Sequence, residues 1–271
     1  MTEAGDNVHD MNNSMGAEMQ PGAQVVGRIA ALLRALSTTM PTGAGTSELA
    51  RAADVSRPTA HRLLSSLAAQ GFVDRDHGSG RWLLGPELYL MGTVAAERYD
   101  ITQLAQEHVV ALAEATGESA FLSARRGAET ICLLRHDGSF PIRSFVLYEG
   151  KRFPLGVASA GLAILAFLPD EASERYLAQA ALAGEFGPSH TTESLRDRIA
   201  ETRHLGYAVN PGLVVEGSWG MGAAVFDPSG QPAWALSLTG IEPRFSARRR
   251  PELGRLLLEH AHRLTQRLAR R

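Results

Sequence analysis

One stretch decides the fold of the N-terminal part of the chain: TSELARAADVSRPTAHRLLSSLAAQGFVDRDHGSGRWLLG, residues 46–85. Its spacing predicts two short helices joined by a turn and followed by a two-stranded hairpin. Ser56 is suited to the N-cap of the second helix, and Pro58 is suited to its first turn. Gly71 is placed to end that helix in the left-handed conformation. This succession of parts is typical of a winged helix-turn-helix.

The second helix has an apolar face and a polar face. Its apolar positions recur at helical spacing and are Ala60, Leu63, Leu64 and Leu67. An ordinary surface helix would have the same two faces, but the hairpin that follows favours insertion into the major groove of DNA. The residues predicted to face DNA are Ser56, Arg57, Pro58, Thr59, His61, Arg62 and Ser65 on this helix and Arg75, His77 and Arg81 on the wing.

The hairpin and an upstream helix complete the predicted DNA-binding module. The runs 72–73 and 81–84 predict two strands on either side of the turn residues 76–80. Upstream, a helix over residues 25–37 has one apolar stripe, formed by Val26, Ile29, Leu32, Leu33 and Leu36. A third helix supplies the apolar surface that such a small core needs. The combination predicts double-stranded DNA as a partner.

Length and composition are typical of a well-packed protein with two domains. The chain has 271 residues, of which 44% are hydrophobic and 21% are charged. The formal net charge is -2, so affinity for nucleic acid has to come from a local surface rather than from the whole chain.

Cysteine usage and apolar runs indicate the compartment. Cys132 is the one cysteine of the sequence, which excludes an intrachain disulfide and is typical of a reducing environment. Its apolar neighbours predict a core residue rather than a nucleophile. The first 22 residues are polar and predict a disordered tail, not a signal peptide. The longest apolar run, residues 157–168, is too short to span a bilayer. We therefore expect a cytoplasmic protein with no membrane partner.

A linker helix is predicted directly after the wing. Pro86 is suited to the first turn of a helix that runs to Tyr99. Its apolar stripe consists of Leu88, Met91, Ala95 and Tyr99. That stripe can pack against its own chain or against a second copy. Paired half-sites about one helical turn (~34 Å) apart would add affinity for DNA, which favours a dimer contact.

From residue 100 onwards, clusters of strands alternate with helices, which is typical of an α+β domain with an antiparallel sheet. The predicted helices cover 101–116, 160–167, 169–180 and 192–205, with a last one that begins at Pro251. The predicted strands cover 119–123, 130–136, 142–147, 219–226 and 233–239.

Several stretches resemble the IclR family of bacterial transcription regulators. They are PTAHRLLSSLAAQGFV at 58–73, WLLG at 82–85, GKRFPLGVASAGLAILAFL at 150–168 and AAVFDPSGQPAWALSLTG at 223–240. The resemblance begins near Ala23. It implies an N-terminal winged helix-turn-helix, a C-terminal GAF-like domain that binds a small effector, and a homodimer or tetramer. The domains predicted on this basis are a disordered tail over 1–22, the DNA-binding domain over 23–84, the linker helix over 85–100 and the effector-binding domain over 101–271.

The resemblance also implies a place for the effector, between the sheet and the start of a helix whose backbone amides attract a carboxylate. Here that start is Ser159-Ala160-Gly161, although such small residues would equally serve close packing of helix on sheet. The other implied positions are Ile142, Phe145 and Phe153 as apolar walls, Ser237 and Thr239 as hydroxyl groups, and Asn210 and Gly220 as lining residues.

Four positions depart from the family pattern. Gly156 stands where the family often has histidine, and Leu162 stands where it often has lysine. Asn210 replaces a frequent acidic residue, and Gly220 replaces a larger one. These changes predict a pocket that is less charged and roomier than in relatives that bind very small keto acids. We therefore expect an organic acid that is aromatic or otherwise larger.

The resemblance implies a ligand-responsive DNA-binding regulator that recognises a palindromic operator. Repression is more common in the family than activation, so we expect a repressor, and an activator is the alternative. A hydrolase is the alternative from another class. The Gly-x-Ser-x-Gly pattern is absent, because Val157 and Glu216 occupy the first glycine position of the two nearest matches. His260 and His262 are two apart on a helix and point away from each other, so they cannot chelate one metal. We expect no catalysis, no metal and no cofactor.

Overall fold

The computed structural model describes residues 21–98 and 101–270, and the chain divides into two compact units between Arg98 and Tyr99. In the described residues, no helix combines the length and the apolar character that crossing a bilayer would require. The first unit contains four helices and a hairpin: α1 (Pro21–Ser37), α2 (Thr46–Ala52), α3 (Arg57–Ala69), β1 (Val73–Arg75), β2 (Trp82–Leu84) and α4 (Pro86–Arg98). β1 and β2 pair antiparallel. This unit confirms the predicted winged helix-turn-helix.

Local signals place α3 as predicted. The Ser56 hydroxyl accepts a hydrogen bond from the Thr59 amide over 3.4 Å, and Pro58 lies in the first turn. All four residues of the predicted apolar face, Ala60, Leu63, Leu64 and Leu67, are buried. Gly71 has a φ of +74°, the left-handed conformation in which a side chain would be strained.

The start of α1 differs from the prediction. The helix begins at Pro21, so residues 21 and 22, which were predicted to belong to the tail, are helical. Residues 1–20 of that tail lie outside the described residues. Val26 is 67% exposed, whereas Leu32 and Leu36 are fully buried. The predicted stripe is too long, because α2, α3 and the wing pack only against the C-terminal half of α1.

Helix α4 exposes much of its apolar surface. Tyr89, Leu90, Met91 and Val94 are each more than half exposed. In the predicted stripe, Leu88 is half-buried while Met91 and Ala95 are exposed, and Tyr99 lies outside the described residues. Met91 and Ala95 of the predicted stripe are thus available for contact, together with the exposed Leu90 and Val94.

The second unit is an α+β unit with an antiparallel sheet, as predicted; the sheet has six strands and carries helices on both faces. Its helices are α5 (Ile101–Thr116), α6 (Ser159–Ala166), α7 (Asp170–Gln179), α8 (Ala183–Phe186), α9 (Thr192–Leu205) and α10 (Arg250–Ala269). Its strands are β3 (Ser119–Arg126), β4 (Glu129–His136), β5 (Arg152–Pro154), β6 (Ala208–Pro211), β7 (Ser218–Phe226) and β8 (Pro232–Ile241). The strand order is β5-β4-β3-β8-β7-β6.

The two faces of this sheet carry different cores. Leu236 and Leu238 on β8 point toward the core that α5 and α10 cover. Ala235 points the other way, toward the core that α6 and α9 cover. Because side chains alternate along a strand, Ser237 and Thr239 face the α6 side as well. The apolar alternation of β8 therefore decides on which face its two hydroxyl groups lie.

The prediction of a strand over 142–147 is wrong. Those residues form an irregular loop between β4 and the short edge strand β5. The other edge strand, β6, was not predicted, and neither was α8. Edge strands of three or four residues are too short to show a period of two, and their pairing partner decides them.

A pair of histidines joins α5 to α10. The Nδ1 atoms of His108 and His260 are 3.1 Å apart, which is a hydrogen bond when one ring donates and the other accepts. His108 is 5% exposed, and its Nε2 atom lies 3.6 Å from a carboxylate oxygen of Glu107. Burial lowers the pKa of both histidines. The pKa of His108 is lowered further by His260 and by Arg263 and Arg267 of α10, and the pKa of His260 is lowered further by Arg263. Glu107 and Glu259 oppose these shifts.

We expect this pair to make the protein less stable as the pH falls below 6.5. Both pKa values are lower in the folded state, so the unfolded chain takes up these protons first and acidification favours unfolding. Each histidine contributes at most ~1.4 kcal/mol per pH unit. Urea unfolding between pH 7.5 and 5 measures the free energy of unfolding. This free energy should fall less steeply with pH in the double variant H108L/H260L than in wild type. H262Q, an exposed position on the same helix, is the control, and equal slopes for wild type and the double variant would refute the prediction.

Candidate DNA interface and effector cavity

The exposed face of α3 presents donors and no acidic side chain. Arg57, His61, Arg62 and Ser65 are all exposed there. The hydroxyl groups of Ser56 and Thr59 lie 2.8 Å apart at the start of the helix. A helix that begins with a capped turn and presents two arginines and a histidine has the hydrogen-bond donors that base edges and phosphates accept.

The wing is fixed beside α3 by a buried tryptophan. Trp82 is 2% exposed, and its indole N–H donates to the hydroxyl of Thr46 over 2.9 Å. The ring of His61 meets the ring of Trp82 edge-on, with centroids 6.2 Å apart. The guanidinium of Arg75 lies 5.4 Å from the centroid of the same ring. Trp82 therefore connects the wing with α2 through Thr46 and with α3 through His61.

Not all of the predicted wing residues are free for DNA. Arg75 and His77 are exposed, and the Arg75 Nε–H makes only a long contact of 3.4 Å to the Gly80 carbonyl oxygen. Arg81, in contrast, donates from Nε and Nη2 to the carbonyl oxygen of Gly43 over 3.1 and 2.7 Å. Its guanidinium thus ties the wing to the loop before α2. The Arg81 side chain is nevertheless 42% exposed, so a contact with DNA stays a prediction.

A cavity opens between the sheet and the N-terminal end of α6. Its enclosed volume is small, about 30 Å³, so a ligand larger than a water molecule has to displace lining side chains or extend toward the mouth. Gly161 does not line it, but seven of the ten positions predicted for the effector do, namely Phe153, Ser159, Ala160, Asn210, Gly220, Ser237 and Thr239. Its remaining walls are Ser123, Thr130, Val146, Leu147, Ala158, Val214, Ser218 and Trp219. None of these lining side chains is charged.

The other two predicted walls are wrong. Ile142 is 58% exposed and Phe145 is 71% exposed, with the Arg135 guanidinium 5.4 Å from the Phe145 ring. Val146 and Leu147, from the same loop, line the cavity in their place. The resemblance to the family implied these two walls, but in this chain the segment is an irregular loop, in which no regular period decides which side chains turn inward. No local signal in this segment identifies which residues turn inward.

Two hydroxyl groups in the cavity lack a partner. The Oγ atom of Ser237 and the Oγ1 atom of Thr239 are buried. Neither atom donates or accepts a hydrogen bond within the described part of the chain. A buried polar group without a partner costs about 1–3 kcal/mol, so both atoms favour a ligand that would bond to them. Thr130 differs, because its hydroxyl donates to the Phe153 carbonyl oxygen over 3.4 Å.

The start of α6 points backbone donors at the same space. The first hydrogen bond of the helix runs from the Leu162 amide to the Ala158 carbonyl oxygen over 2.9 Å. The amides of Ser159, Ala160 and Gly161 precede it and have no acceptor within the helix. Such a group of amides, at the positive end of the helix dipole, attracts an anion.

The Asn210 side chain forms hydrogen bonds with backbone groups around the cavity. Its Nδ2 atom donates to the Val157 carbonyl oxygen over 2.7 Å, and its Oδ1 atom accepts from the Leu213 amide over 2.9 Å. An aspartate at this position would have no proton to donate to Val157. His190 lies behind the same carbonyl, with Nε2 3.5 Å from it, and burial lowers the pKa of its imidazole. Asn210 thus braces the segment that leads into α6.

A winged helix-turn-helix followed by an α+β unit with a lined cavity defines a ligand-responsive transcription regulator. The comparisons with known proteins give the family. The family model described as "Bacterial transcriptional regulator IclR C-terminal" matches residues 93–266, and the one described as "IclR helix-turn-helix domain" matches residues 25–77. The chain belongs to the IclR family of bacterial transcription regulators.

Individual relatives agree with this assignment. The chain is 31% identical to the HTH-type transcriptional regulator KipR of Bacillus subtilis over 76% of this chain and 82% of that protein. It is 26% identical to the transcriptional repressor IclR of Escherichia coli over 81% of each. An IclR homologue of Microbacterium hydrocarbonoxydans, crystallised with 4-hydroxybenzoate, has the same fold with a TM-score of 0.73 at 21% identity. This match covers 91% of the present chain and 100% of the other.

The relatives are transcription regulators, not enzymes. In the part of the chain that the structure describes, no group of three or more His, Cys, Asp or Glu side chains is placed to hold a metal ion. Cys132 is 2% exposed, and burial raises the pKa of its thiol to about 12, so it is a core residue and not a nucleophile.

Proposed function

We propose that this protein is a transcription repressor that binds a palindromic operator as a homodimer. Its affinity for the operator changes when a small organic acid enters the cavity beside α6. The observation that carries the proposal is the pair of unpartnered hydroxyls of Ser237 and Thr239, which face the cavity in a chain that also bears a recognition helix. Repression is supported by the E. coli relative, which is named a repressor. A regulator that binds the chromosome acts in the cytoplasm of a bacterium.

The chemistry of the cavity supports a ligand with a single acid group. Three backbone amides at the start of α6 provide one place for a carboxylate. No arginine, lysine or histidine lines the cavity, so a second carboxylate or a phosphate would be buried without a counter-charge. The hydroxyls of Ser237 and Thr239 are free to bond to a carboxylate or to a ligand hydroxyl.

The apolar walls support a ligand with an apolar body. Phe153, Val146, Leu147 and Trp219 surround the space beside the polar groups. Apolar walls with a few placed polar groups are the usual composition of a small-molecule site. The M. hydrocarbonoxydans homologue binds 4-hydroxybenzoate, which has one carboxylate and one ring. We therefore propose a single-ring aromatic monocarboxylate as the effector.

The exposed apolar face of α4 supports a dimer. Leu90 is 53% exposed and Val94 is 71% exposed, and both lie on one side of the helix. A second copy would cover them and would present two recognition helices to a palindrome. The effector then changes the affinity for the operator to the extent that it binds one arrangement of the dimer better than the other.

Binding to the DNA upstream of the protein's own gene tests the proposal. In fluorescence anisotropy at about 150 mM salt, we expect a complex on that fragment that is at least 100 times tighter than on random DNA of equal length. Adding benzoate or 4-hydroxybenzoate should shift the midpoint, while phthalate, with two carboxylates, should not. Equal affinity for both DNAs, or no response to any monocarboxylate, would contradict the proposal. Deletion of the gene should raise expression from that promoter; a fall would indicate an activator.

Replacing the unpartnered hydroxyls tests the binding site directly. We expect T239V and S237A to bind the aromatic acid about tenfold more weakly each, since a hydrogen bond to a charged group contributes about 1.5–3 kcal/mol. Neither change should lower the melting temperature of the free protein, because no existing bond is lost. T130V is the matched control, because its hydroxyl already has a partner in the Phe153 carbonyl. Calorimetric titration measures the affinities; unchanged binding by both variants would place the ligand elsewhere.

A further inference from the structure

The first 20 residues of the chain and the rest of the first unit carry opposite net charges. Residues 1–20 contain no lysine or arginine, and their four carboxylates belong to Glu3, Asp6, Asp10 and Glu18. Residues 21–98 contain eight arginines, no lysine and six acidic residues, which is an excess of two positive charges. The carboxylates of residues 1–20 therefore outnumber the excess positive charge of the unit to which they are joined.

The positive charge of the first unit is concentrated on the face that is predicted to contact DNA. Arg57 and Arg62 are exposed on α3, and Arg75 is exposed on β1. Among residues 21–98 as the structure describes them, the one ion pair joins Arg81 to Glu48, so the other three arginines have no carboxylate partner there. Such exposed cations attract anionic groups that come within a Debye length, about 8–10 Å.

The length of residues 1–20 is sufficient to reach this face. They are continuous with Pro21, the first residue of α1, and the C-terminal half of α1 packs against α2, α3 and the wing. α1 has 17 residues and is therefore about 25 Å long. An extended chain of 20 residues spans up to about 66 Å. The segment can thus follow the full length of α1 and still cover the exposed face of α3.

We infer that residues 1–20 bind the DNA-contacting face of their own chain, where their carboxylates take the place of DNA phosphates on Arg57, Arg62 and Arg75. A short tether gives an effective concentration in the millimolar range, so even a contact of millimolar affinity is formed about half of the time. Operator and random DNA both have to displace the segment, so it weakens both complexes. This inference rests on the proposed DNA-binding function and names a second occupant of the same face.

Neutralising the four carboxylates in the full-length protein tests the inference. We expect E3Q/D6N/D10N/E18Q to bind the operator fragment and random DNA about threefold more tightly than wild type at 50 mM salt. The gain should shrink at 300 mM salt, because salt screens the contact. The control E114Q/E185Q/D197N/E216Q removes four exposed carboxylates from the second unit and should leave the affinity within about 1.5-fold of wild type. An equal gain in the control would overturn the inference, because net charge alone would then explain it.

A spin label distinguishes docking of the segment from simple repulsion of DNA. The label is attached to S14C in the full-length protein, and Cys132 stays unlabelled because it is 2% exposed. Without DNA, the label should broaden the amide signals of α3 and the wing in NMR spectra. This broadening should disappear when the four carboxylates are also neutralised.

The two experiments separate failure of this inference from failure of the proposed function. DNA affinity that is the same in wild type and E3Q/D6N/D10N/E18Q would overturn the inference. Absence of broadening on α3, or broadening that persists after neutralisation, would overturn it as well. If neither wild type nor the neutralised variant bound either DNA at 50 mM salt, the proposed DNA-binding function itself would be overturned.

Discussion

Replacing Arg57 by alanine should abolish most of the sequence-specific DNA binding of this protein. Arg57 is the first residue of α3 and is exposed at the end of the helix that enters the groove in this class of domain. A bidentate arginine–guanine contact discriminates by about 1–3 kcal/mol. A homodimer on a palindrome makes the contact twice, so the expected loss is about 2–6 kcal/mol on the operator.

The comparison with random DNA shows what Arg57 contacts. Anisotropy titrations of R57A should show a loss of at least 30-fold on the operator and only a few-fold loss on random DNA at the same salt concentration. R34A, which removes an exposed arginine from α1, should weaken both complexes slightly and equally. If R57A also weakened binding to both DNAs to the same extent, Arg57 would contact a phosphate and would not contribute to sequence recognition.

Replacing Glu118 by alanine should strongly destabilise the second unit. The Glu118 side chain is 1% exposed, and one of its oxygens accepts from Arg244 over 2.7 Å and from Arg249 over 2.6 Å. Both arginines also donate to the Thr116 carbonyl oxygen. This cluster connects β3 to the segment between β8 and α10, more than 120 residues away.

Loss of the carboxylate leaves two guanidinium groups without their counter-charge. Removing one partner of a buried ion pair costs about 3–5 kcal/mol, and we expect about 3 kcal/mol because the arginines are partly exposed. Urea unfolding at pH 7 followed by tryptophan emission measures the change. E129A, which breaks the more exposed pair of Glu129 with Arg152, should cost no more than about 1 kcal/mol. A loss below about 1 kcal/mol in E118A would show that the cluster contributes little.

The DNA-binding unit could be predicted from sequence because its signals are local. The N-cap at Ser56, the first-turn proline at Pro58 and the glycine at Gly71 each act on the backbone within a few residues. The apolar repeat of α3 selects its buried face without reference to the rest of the chain. Val26 is the exception in this unit, because a repeat predicts which face is apolar and not how far the core extends along the helix.

The cavity could be predicted in part. The alternation along β8 places Ser237 and Thr239 on one face, and the resemblance to the family indicated α6 as the opposite wall. Ile142 and Phe145 were predicted wrongly, because the backbone of a loop is decided by packing rather than by a period. The requirement for glycine at 222 could not be read from sequence either, since it depends on which backbone atoms of α6 lie opposite that residue.

The sequence alone therefore determined the longer helices, the central strands, the polar face of α3 and the family. These features depend on residues a few positions apart, whose spacing matches the period of a helix or a strand. Only the tertiary structure decided that His108 meets His260, that Glu118 meets Arg244 and Arg249, and which loop residues line the cavity. Such contacts join positions far apart in the chain, and they exist only after the sheet and its covering helices have packed together.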